Sequence, residues 1–99
     1  MEEVRALVLQ HLRGTGARVF LFGSWARGEE RAASDIDIAV DHDSPLPPGC
    51  LAELREVLEE STIPFRVDLV DLAECDPAFR SRVTEEAVEW TTSQGPVHA

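Results

Sequence analysis

Residues 35–41 alternate between acidic and apolar side chains, and this alternation constrains the fold more than any other feature of the chain. Successive side chains of a strand point to opposite faces of a sheet, so Asp35 and Asp37 share one face and Ile36, Ile38 and Val40 share the other. The β-branched residues of the segment also favour a strand. The segment therefore predicts a strand with one face in a core and two carboxylates on the other face.

The remaining elements follow from the spacing of apolar residues. Helical spacing predicts helices at residues 2–13, 50–61 and 76–91, and short apolar runs predict strands at residues 18–22 and 65–71. A short helical turn is expected at residues 24–28. The predicted order is helix, strand, short helical turn, strand, helix, strand, helix. This order indicates an α/β (α+β) fold in which a small mixed β-sheet is flanked by helices.

The two later helices have predicted core faces. In the helix at 50–61 the residues expected to face the core are Leu51, Leu54, Val57 and Leu58. In the helix at 76–91 they are Phe79, Val83, Ala87 and Trp90. Asp76 followed by Pro77 is a favourable start for the last helix, because Asp caps the first turn and Pro fits the first helical position.

Length and composition limit the class of protein. The chain of 99 residues predicts one domain at 1–91, with a C-terminal tail at 92–99 that has no periodicity and is expected to fray. The net charge of −10 disfavours binding to duplex nucleic acid, which needs clustered cations. No apolar run is long enough for a membrane span. Cys50 and Cys75 are predicted to be free thiols in a reducing cytoplasm.

The paired carboxylates of Asp35 and Asp37 indicate a metal site. Two carboxylates on one strand face repel each other unless a cation lies between them. Mg²⁺ prefers oxygen ligands and is commonly held by one or two carboxylates together with substrate phosphates. Two such ions can stabilise both the attacking and the leaving oxygen of an in-line displacement. The alternative is an edge strand that carries two solvent-facing acids.

Gly23 and Ser24, which follow the strand at 18–22, form a candidate phosphate-binding turn. Glycine allows backbone N–H groups to approach an anion closely, and a following helical turn directs further donors at it. The Ser24 hydroxyl can add another donor. Although Gly-Ser after a strand is commonly an ordinary turn, here it lies shortly before Asp35, so both elements can face one crevice.

Asp68 is the candidate third acid. It shares a face of the strand at 65–71 with Arg66 and Val70, whereas Asp71 has the opposite parity and is a weaker candidate. If this strand lies beside the strand at 35–41, Asp68 can complete a cluster of three carboxylates. It could then bind a metal ion and accept the proton of an attacking hydroxyl. The alternative is an exposed strand acid.

Three stretches of the chain together resemble the DNA polymerase β-like nucleotidyltransferase superfamily, and within it the minimal nucleotidyltransferases. They are residues 22–28 (Phe-Gly-Ser-Trp-Ala-Arg-Gly), 34–40 (Ser-Asp-Ile-Asp-Ile-Ala-Val) and 67–71 (Val-Asp-Leu-Val-Asp). The resemblance covers essentially residues 1–90. It implies the nucleotidyltransferase fold for the predicted α/β order.

The resemblance also implies the site and its chemistry. It implies that Gly23 and Ser24 bind a nucleoside triphosphate with Arg27 near its phosphates. It further implies that two Mg²⁺ ions are held by Asp35, Asp37 and Asp68, which are also the catalytic residues. The implied reaction is transfer of AMP from ATP to a hydroxyl, with pyrophosphate as the leaving group.

Minimal members of the superfamily resemble the antitoxins of two-component toxin–antitoxin pairs, which implies a small helical partner of the HEPN family. The resemblance implies that the acceptor is a tyrosine hydroxyl of that partner, and this chain itself contains no tyrosine. The acceptor site would be completed by a docking partner or by an oligomer. Two other classes stay open: a nucleotidyltransferase that modifies a small molecule together with a partner subunit, and an antitoxin that binds its partner without catalysis.

Overall fold

The computed structural model of the protein describes residues 2–23, 25–26, 28 and 35–91. Its elements, in chain order, are α1 (Glu2–His11), β1 (Arg18–Phe22), β2 (Ile36–Asp41), α2 (Cys50–Glu60), β3 (Val67–Asp71), a 3₁₀ turn (Leu72–Glu74), α3 (Pro77–Glu86) and β4 (Val88–Glu89). This arrangement confirms the predicted α/β class. Residues 29–34 and the predicted tail at 92–99 lie outside the described residues.

The strands form one mixed sheet in the order β3-β2-β1-β4. β1 is antiparallel to both β2 and β4, whereas β2 and β3 are parallel and are joined through α2. Parallel neighbours need such a crossover, because a tight turn cannot bring the chain back to the same end of the sheet. The sheet thus places β2, which carries Asp37, between β3 and β1 in its interior.

The two faces of the sheet are covered by different layers. The face that carries Ile36, Ile38 and Val40 packs against α1 and α2, and these three side chains are fully buried. The opposite face carries a smaller core. That core consists of Phe20, Ala39, Leu72 and Val83. The predicted alternation of β2 is therefore confirmed, and Asp37 lies on the face covered by α3.

The prediction of one helix over residues 76–91 is wrong at its C-terminal end. α3 ends at Glu86, Ala87 is extended, and the chain then pairs with β1 as β4. The Trp90 side chain is buried in the core on the face that packs against α1 and α2. The backbone N–H of Trp90 donates to the backbone carbonyl of Val19 over 2.8 Å. Pairing with β1 satisfies a strand edge that would otherwise be open, and this long-range gain outweighs the local helical spacing.

The predicted core face of α2 also needs one correction. Leu54 and Leu58 are buried as predicted, but Val57 is 37% exposed and Cys50 takes the buried position instead. Residues four apart line one stripe of a helix, and the stripe that meets the sheet runs through 50, 54 and 58. Val57 lies beside this stripe on the side that faces solvent.

Both cysteines are free thiols, as predicted. Burial raises the pKa of the Cys50 thiol, and the nearby Glu53 carboxylate acts in the same direction. None of the helices in the described ranges is long and apolar enough to cross a membrane.

Leu54→Ala should lower the free energy of unfolding by about 2–5 kcal/mol, because it leaves a cavity in the core. Val57→Ala on the same helix should cost less than about 1 kcal/mol, since Val57 is partly exposed in the folded protein. Urea denaturation followed by circular dichroism measures both. Equal losses would contradict the stripe assigned to α2.

Candidate active site

Three strands place Phe22, Asp37 and Asp68 in one row across the sheet. Phe22 pairs directly with Asp37 across β1 and β2, and Asp37 pairs directly with Asp68 across β2 and β3. Neighbouring strands lie about 4.8 Å apart, so the two carboxylates are cross-strand neighbours on the same face. The sequence-based expectation that β3 lies beside β2, with Asp68 next to Asp37, is confirmed.

The three predicted acids differ in their surroundings. Asp37 is half-buried within β2, Asp68 is exposed on β3, and Asp35 is exposed and lies one residue before β2. The β2–β3 ladder begins at Ile36, whose N–H donates to the carbonyl of Arg66 over 2.8 Å. Within the described ranges, no group of three His, Cys, Asp or Glu side chains is close enough to hold a metal ion. The fold therefore brings Asp37 and Asp68 into register, while Asp35 lies outside the paired strands.

Gly23 lies directly against the Asp37 carboxylate. Its φ of +80° is in the left-handed region that favours glycine, and a β-carbon at this position would clash with the carboxylate and lie 3.1 Å from its Cγ. The turn continues with the Ala26 N–H donating to the Gly23 carbonyl over 3.1 Å. The turn predicted to bind phosphate thus contacts the row at Asp37. Ser24 and Arg27 lie outside the described residues.

Aromatic contacts hold the turn and α3 on either side of this row. The ring of Trp25 packs edge-on against Phe65, with 5.1 Å between the ring centroids. On the face that carries Asp37, Phe22 packs edge-on against Phe79 of α3 at 6.3 Å. Sequence reasoning predicted Phe79 as a core residue but missed that it stands next to the Gly23 turn, because helical spacing reveals the buried stripe and not the strand it meets.

An ion pair between the buried Asp41 and the partly exposed Arg80 fixes α3 at a second contact with the sheet. Asp41 is 5% exposed, and Nη2 of Arg80 lies 2.7 Å from its Oδ1. The contact is a close ion pair rather than an aligned hydrogen bond. A buried carboxylate needs such a partner, so this pair ties the end of β2 to α3.

Asp71 has a structural role on β3. Its Oδ1 accepts the N–H of Ala73 over 3.0 Å and lies 2.9 Å from Nε2 of His42. It is in register with Val40, at the far end of β2 from Asp37. This placement agrees with its weaker standing in the sequence-based prediction.

The donor chemistry of the row fits Mg²⁺. Asp37 and Asp68 offer carboxylate oxygens, the ligands that Mg²⁺ prefers, from directly opposed positions. Like charges placed directly opposite each other in a sheet are destabilising, so a bound cation would relieve a cost built into the β2–β3 pair. The exposed Asp35 is two residues from Asp37 and is free of the ladder, so it could approach the same cation.

Comparison with known families assigns this arrangement. A family model described as "Polymerase beta, Nucleotidyltransferase" matches residues 15–91, a segment that includes Gly23 and all three acids. The chain belongs to this nucleotidyltransferase family. Its membership confirms the resemblance stated from the sequence.

Two curated relatives within the family carry related names. "Protein adenylyltransferase MntA" of Thermococcus cleftensis is 31% identical over 93 residues, which cover 89% of this chain and 93% of the relative. "Probable protein adenylyltransferase MntA" of Haemophilus influenzae is 39% identical over 62 residues, which cover 63% of this chain and 54% of the relative. The matched region therefore spans about half the length of the Haemophilus protein.

Solved structures of the family share the fold. A toxin–antitoxin structure with AMP-PNP superposes with a TM-score of 0.68 at 29% identity, covering 87% of this chain and 71% of that chain. A structure of the tri-AMPylated Shewanella oneidensis HEPN toxin in complex with its MNT antitoxin gives a TM-score of 0.61 at 26% identity, covering 90% and 70%. These likenesses agree with the mixed sheet and the helices described above.

Gly23→Ala should destabilise the protein more than Gly14→Ala. Both glycines have positive φ, +80° and +83°, but a β-carbon at Gly14 would meet no atom within 4 Å, whereas one at Gly23 would displace the Asp37 carboxylate. The shared backbone strain costs about 1–2 kcal/mol, and Gly23→Ala should add to it. Chemical denaturation gives both values.

The double variant Gly23→Ala/Asp37→Ala isolates the clash. Gly23→Ala should lower the free energy of unfolding more than Gly14→Ala does, and removing the carboxylate should abolish this difference. The backbone strain that remains is the same at the two positions. Independent, additive effects of the two substitutions would show that the turn does not press against Asp37.

Proposed function

We propose that the protein is a Mg²⁺-dependent adenylyltransferase that transfers AMP from ATP to a tyrosine hydroxyl of a HEPN-type toxin and so acts as its antitoxin. The observation that carries the proposal is the row in which the Gly23 turn touches Asp37 and Asp37 faces Asp68. The names of the relatives, the AMP-PNP structure and the tri-AMPylated toxin support the same activity.

The reaction is a displacement at the α-phosphorus of ATP. The acceptor oxygen forms a bond to the α-phosphorus, the bond from that phosphorus to the oxygen bridging to the β-phosphate breaks, and pyrophosphate leaves. The acceptor hydroxyl must lose a proton during this exchange. Asp68 is the proposed proton acceptor, because its exposed carboxylate lies at the end of the row away from the turn.

The Gly23 turn is proposed to bind the phosphates. The missing side chain at Gly23 makes room for the Asp37 carboxylate, so the backbone N–H groups of the turn would meet a phosphate beside that acid. We assign the Ser24 hydroxyl and the Arg27 guanidinium to the same phosphates, on the grounds of their positions in the sequence motif. The turn then orients the triphosphate towards the carboxylates.

Asp35, Asp37 and Asp68 would hold Mg²⁺, two ions in our proposal. When bound, Mg²⁺ neutralises charge on the triphosphate and stabilises the attacking and leaving oxygens. The protein's own contribution is to hold two of these carboxylates opposite each other on rigid, paired strands, with Asp37 half-buried. Carboxylates held in this way need little rearrangement when the substrate binds.

The acceptor is proposed to lie on a partner protein. The tyrosine would belong to the partner, because the 99 residues contain none. The net charge of −10 would favour association with a basic partner surface. The free thiols of Cys50 and Cys75 are consistent with a cytoplasmic setting.

Asp37→Asn and Asp68→Asn should each reduce AMP transfer by at least about 100-fold, since metal binding contributes several kcal/mol to the reaction. Stability should be unchanged or slightly higher, because each variant removes the repulsion between the opposed carboxylates. Labelling of a lysate of the source organism with Mg²⁺ and α-labelled ATP measures the transfer. The matched control is Asp43→Asn, whose side chain is fully exposed after β2.

The same labelling separates the alternatives. A labelled protein of the expected HEPN size supports the proposal, and wild-type labelling by Asp37→Asn would contradict the metal assignment. Recovery of the partner on the antitoxin without any label would favour an antitoxin that acts by binding alone. Label found only in a small molecule would favour the other class of nucleotidyltransferase.

Mg²⁺ and ATP together should stabilise the protein against heat. A ligand at 100 times its Kd stabilises the folded state by about 2.7 kcal/mol, which raises Tm by about 10 °C or more in a domain of this size. Scanning fluorimetry with Mg²⁺, ATP, both, and both with excess EDTA should show the full shift only when both are present. No shift at millimolar ligand, with or without the partner, would count against nucleotide binding.

A further inference from the structure

A small cavity lies between the Gly23 turn and α3. Its volume is about 260 Å³, and among the described residues Gly23 and Ala26 bound it on the side of the turn. Its walls are apolar and come from both the sheet and the helix. They are formed by Phe22, Phe79, Val83 and Ala87. The cavity therefore lies alongside the proposed phosphate turn.

The cavity lies on the same face of the sheet as the carboxylates. Phe22 pairs directly with Asp37, and Phe22 and Phe79 belong to the core layer under α3. A second cavity, of about 350 Å³, also borders Asp68, but its apolar lining includes Val67 and Leu69. These two residues alternate with Asp68 along β3 and pack towards α2, so that cavity opens on the opposite face. Of these two cavities, the first lies on the face of the sheet that carries the row.

The size and lining of the first cavity suit a single aromatic ring system. Pockets for whole drug-sized ligands have volumes of about 300–1,000 Å³, so this cavity is too small for a complete nucleotide but large enough for its base. Bases bind proteins by stacking and packing against aromatic and apolar side chains. Phe22 and Phe79, whose rings meet edge-on at 6.3 Å, provide that kind of wall.

The mouth of the cavity carries one donor and one acceptor. Arg82 and Glu86 both border it and are exposed, and their separation of four residues puts them on the same side of α3. Adenine presents an amino donor at N6 beside an acceptor at N7, whereas guanine presents acceptors at both O6 and N7. A carboxylate next to a guanidinium complements the adenine pattern.

We propose that this cavity is the subsite for the adenine base of ATP, and that α3 sets the base preference through Glu86 and Arg82. The inference rests on the proposed function, since it assigns a place to one part of the proposed substrate. The phosphates would then lie at the Gly23 turn, between the base and Asp68.

Filling the cavity tests the subsite. Ala87 lines it in an extended conformation that any residue adopts, so Ala87→Leu should occupy the space without removing a core side chain. The matched control is Ala52→Leu on the exposed side of α2. Affinities are measured by calorimetry for two probes with Mg²⁺: ATP, and tripolyphosphate, which keeps the phosphate chain but has no base.

Ala87→Leu should weaken ATP binding by about tenfold or more and leave tripolyphosphate binding unchanged, while Ala52→Leu should change neither. If Ala87→Leu weakens the binding of both probes to the same extent, or of neither, the subsite is overturned. ATP binding by the wild type would still support the proposed function. If the wild type binds neither probe, with or without its partner, both proposals fail.

A charge reversal tests the base preference independently. Glu86→Lys replaces the acceptor for N6 with a donor that suits O6 of guanine, so the ratio of ATP to GTP affinity should fall by about tenfold. The ratio compares two ligands on one protein, so it is unaffected by a partial loss of folding or by added attraction for phosphate. An unchanged ratio would overturn the role of Glu86.

Discussion

The parallel pairing of β2 with β3 is the interaction on which the candidate site depends. Its register sets Asp37 directly opposite Asp68, and a slip of one residue would turn one of the carboxylates to the other face. The buried side chains of Ile36 and Ile38 hold this register from the opposite face. Burial of apolar surface there offsets the repulsion of the two acids, so the protein keeps an arrangement that a bound cation would favour.

The other contacts position the surroundings of that acidic pair. Pairing of β1 with β2 brings Gly23 against Asp37, and the absence of a side chain makes the close approach possible. The ion pair between Asp41 and Arg80 holds α3 across the same face. The turn, the carboxylates and α3 thus lie around one region of this face. Each is held there by a contact between residues that are far apart in the sequence.

This arrangement gives each element a different role. In the proposed function the turn after β1 binds phosphate, β2 and β3 hold the metal, and Asp68 faces the acceptor. The adenine subsite would occupy the side of the row nearest α3, opposite Asp68. The base and the acceptor would therefore approach from different ends of the row, which leaves the exposed edge at β3 for the partner protein.

The sequence by itself determined β1 through a short apolar run. It also determined the alternation of β2 and the side of β3 that carries Asp68, because both depend on a local period of two. It also determined the family, through residues grouped in short motifs. Only the tertiary structure decided that Asp37 faces Asp68, that residues 88–89 pair as β4, and that Phe79 stands beside Gly23. Strand register and helix docking depend on partners far apart in the chain, and local periodicity carries no information about which partner an element meets.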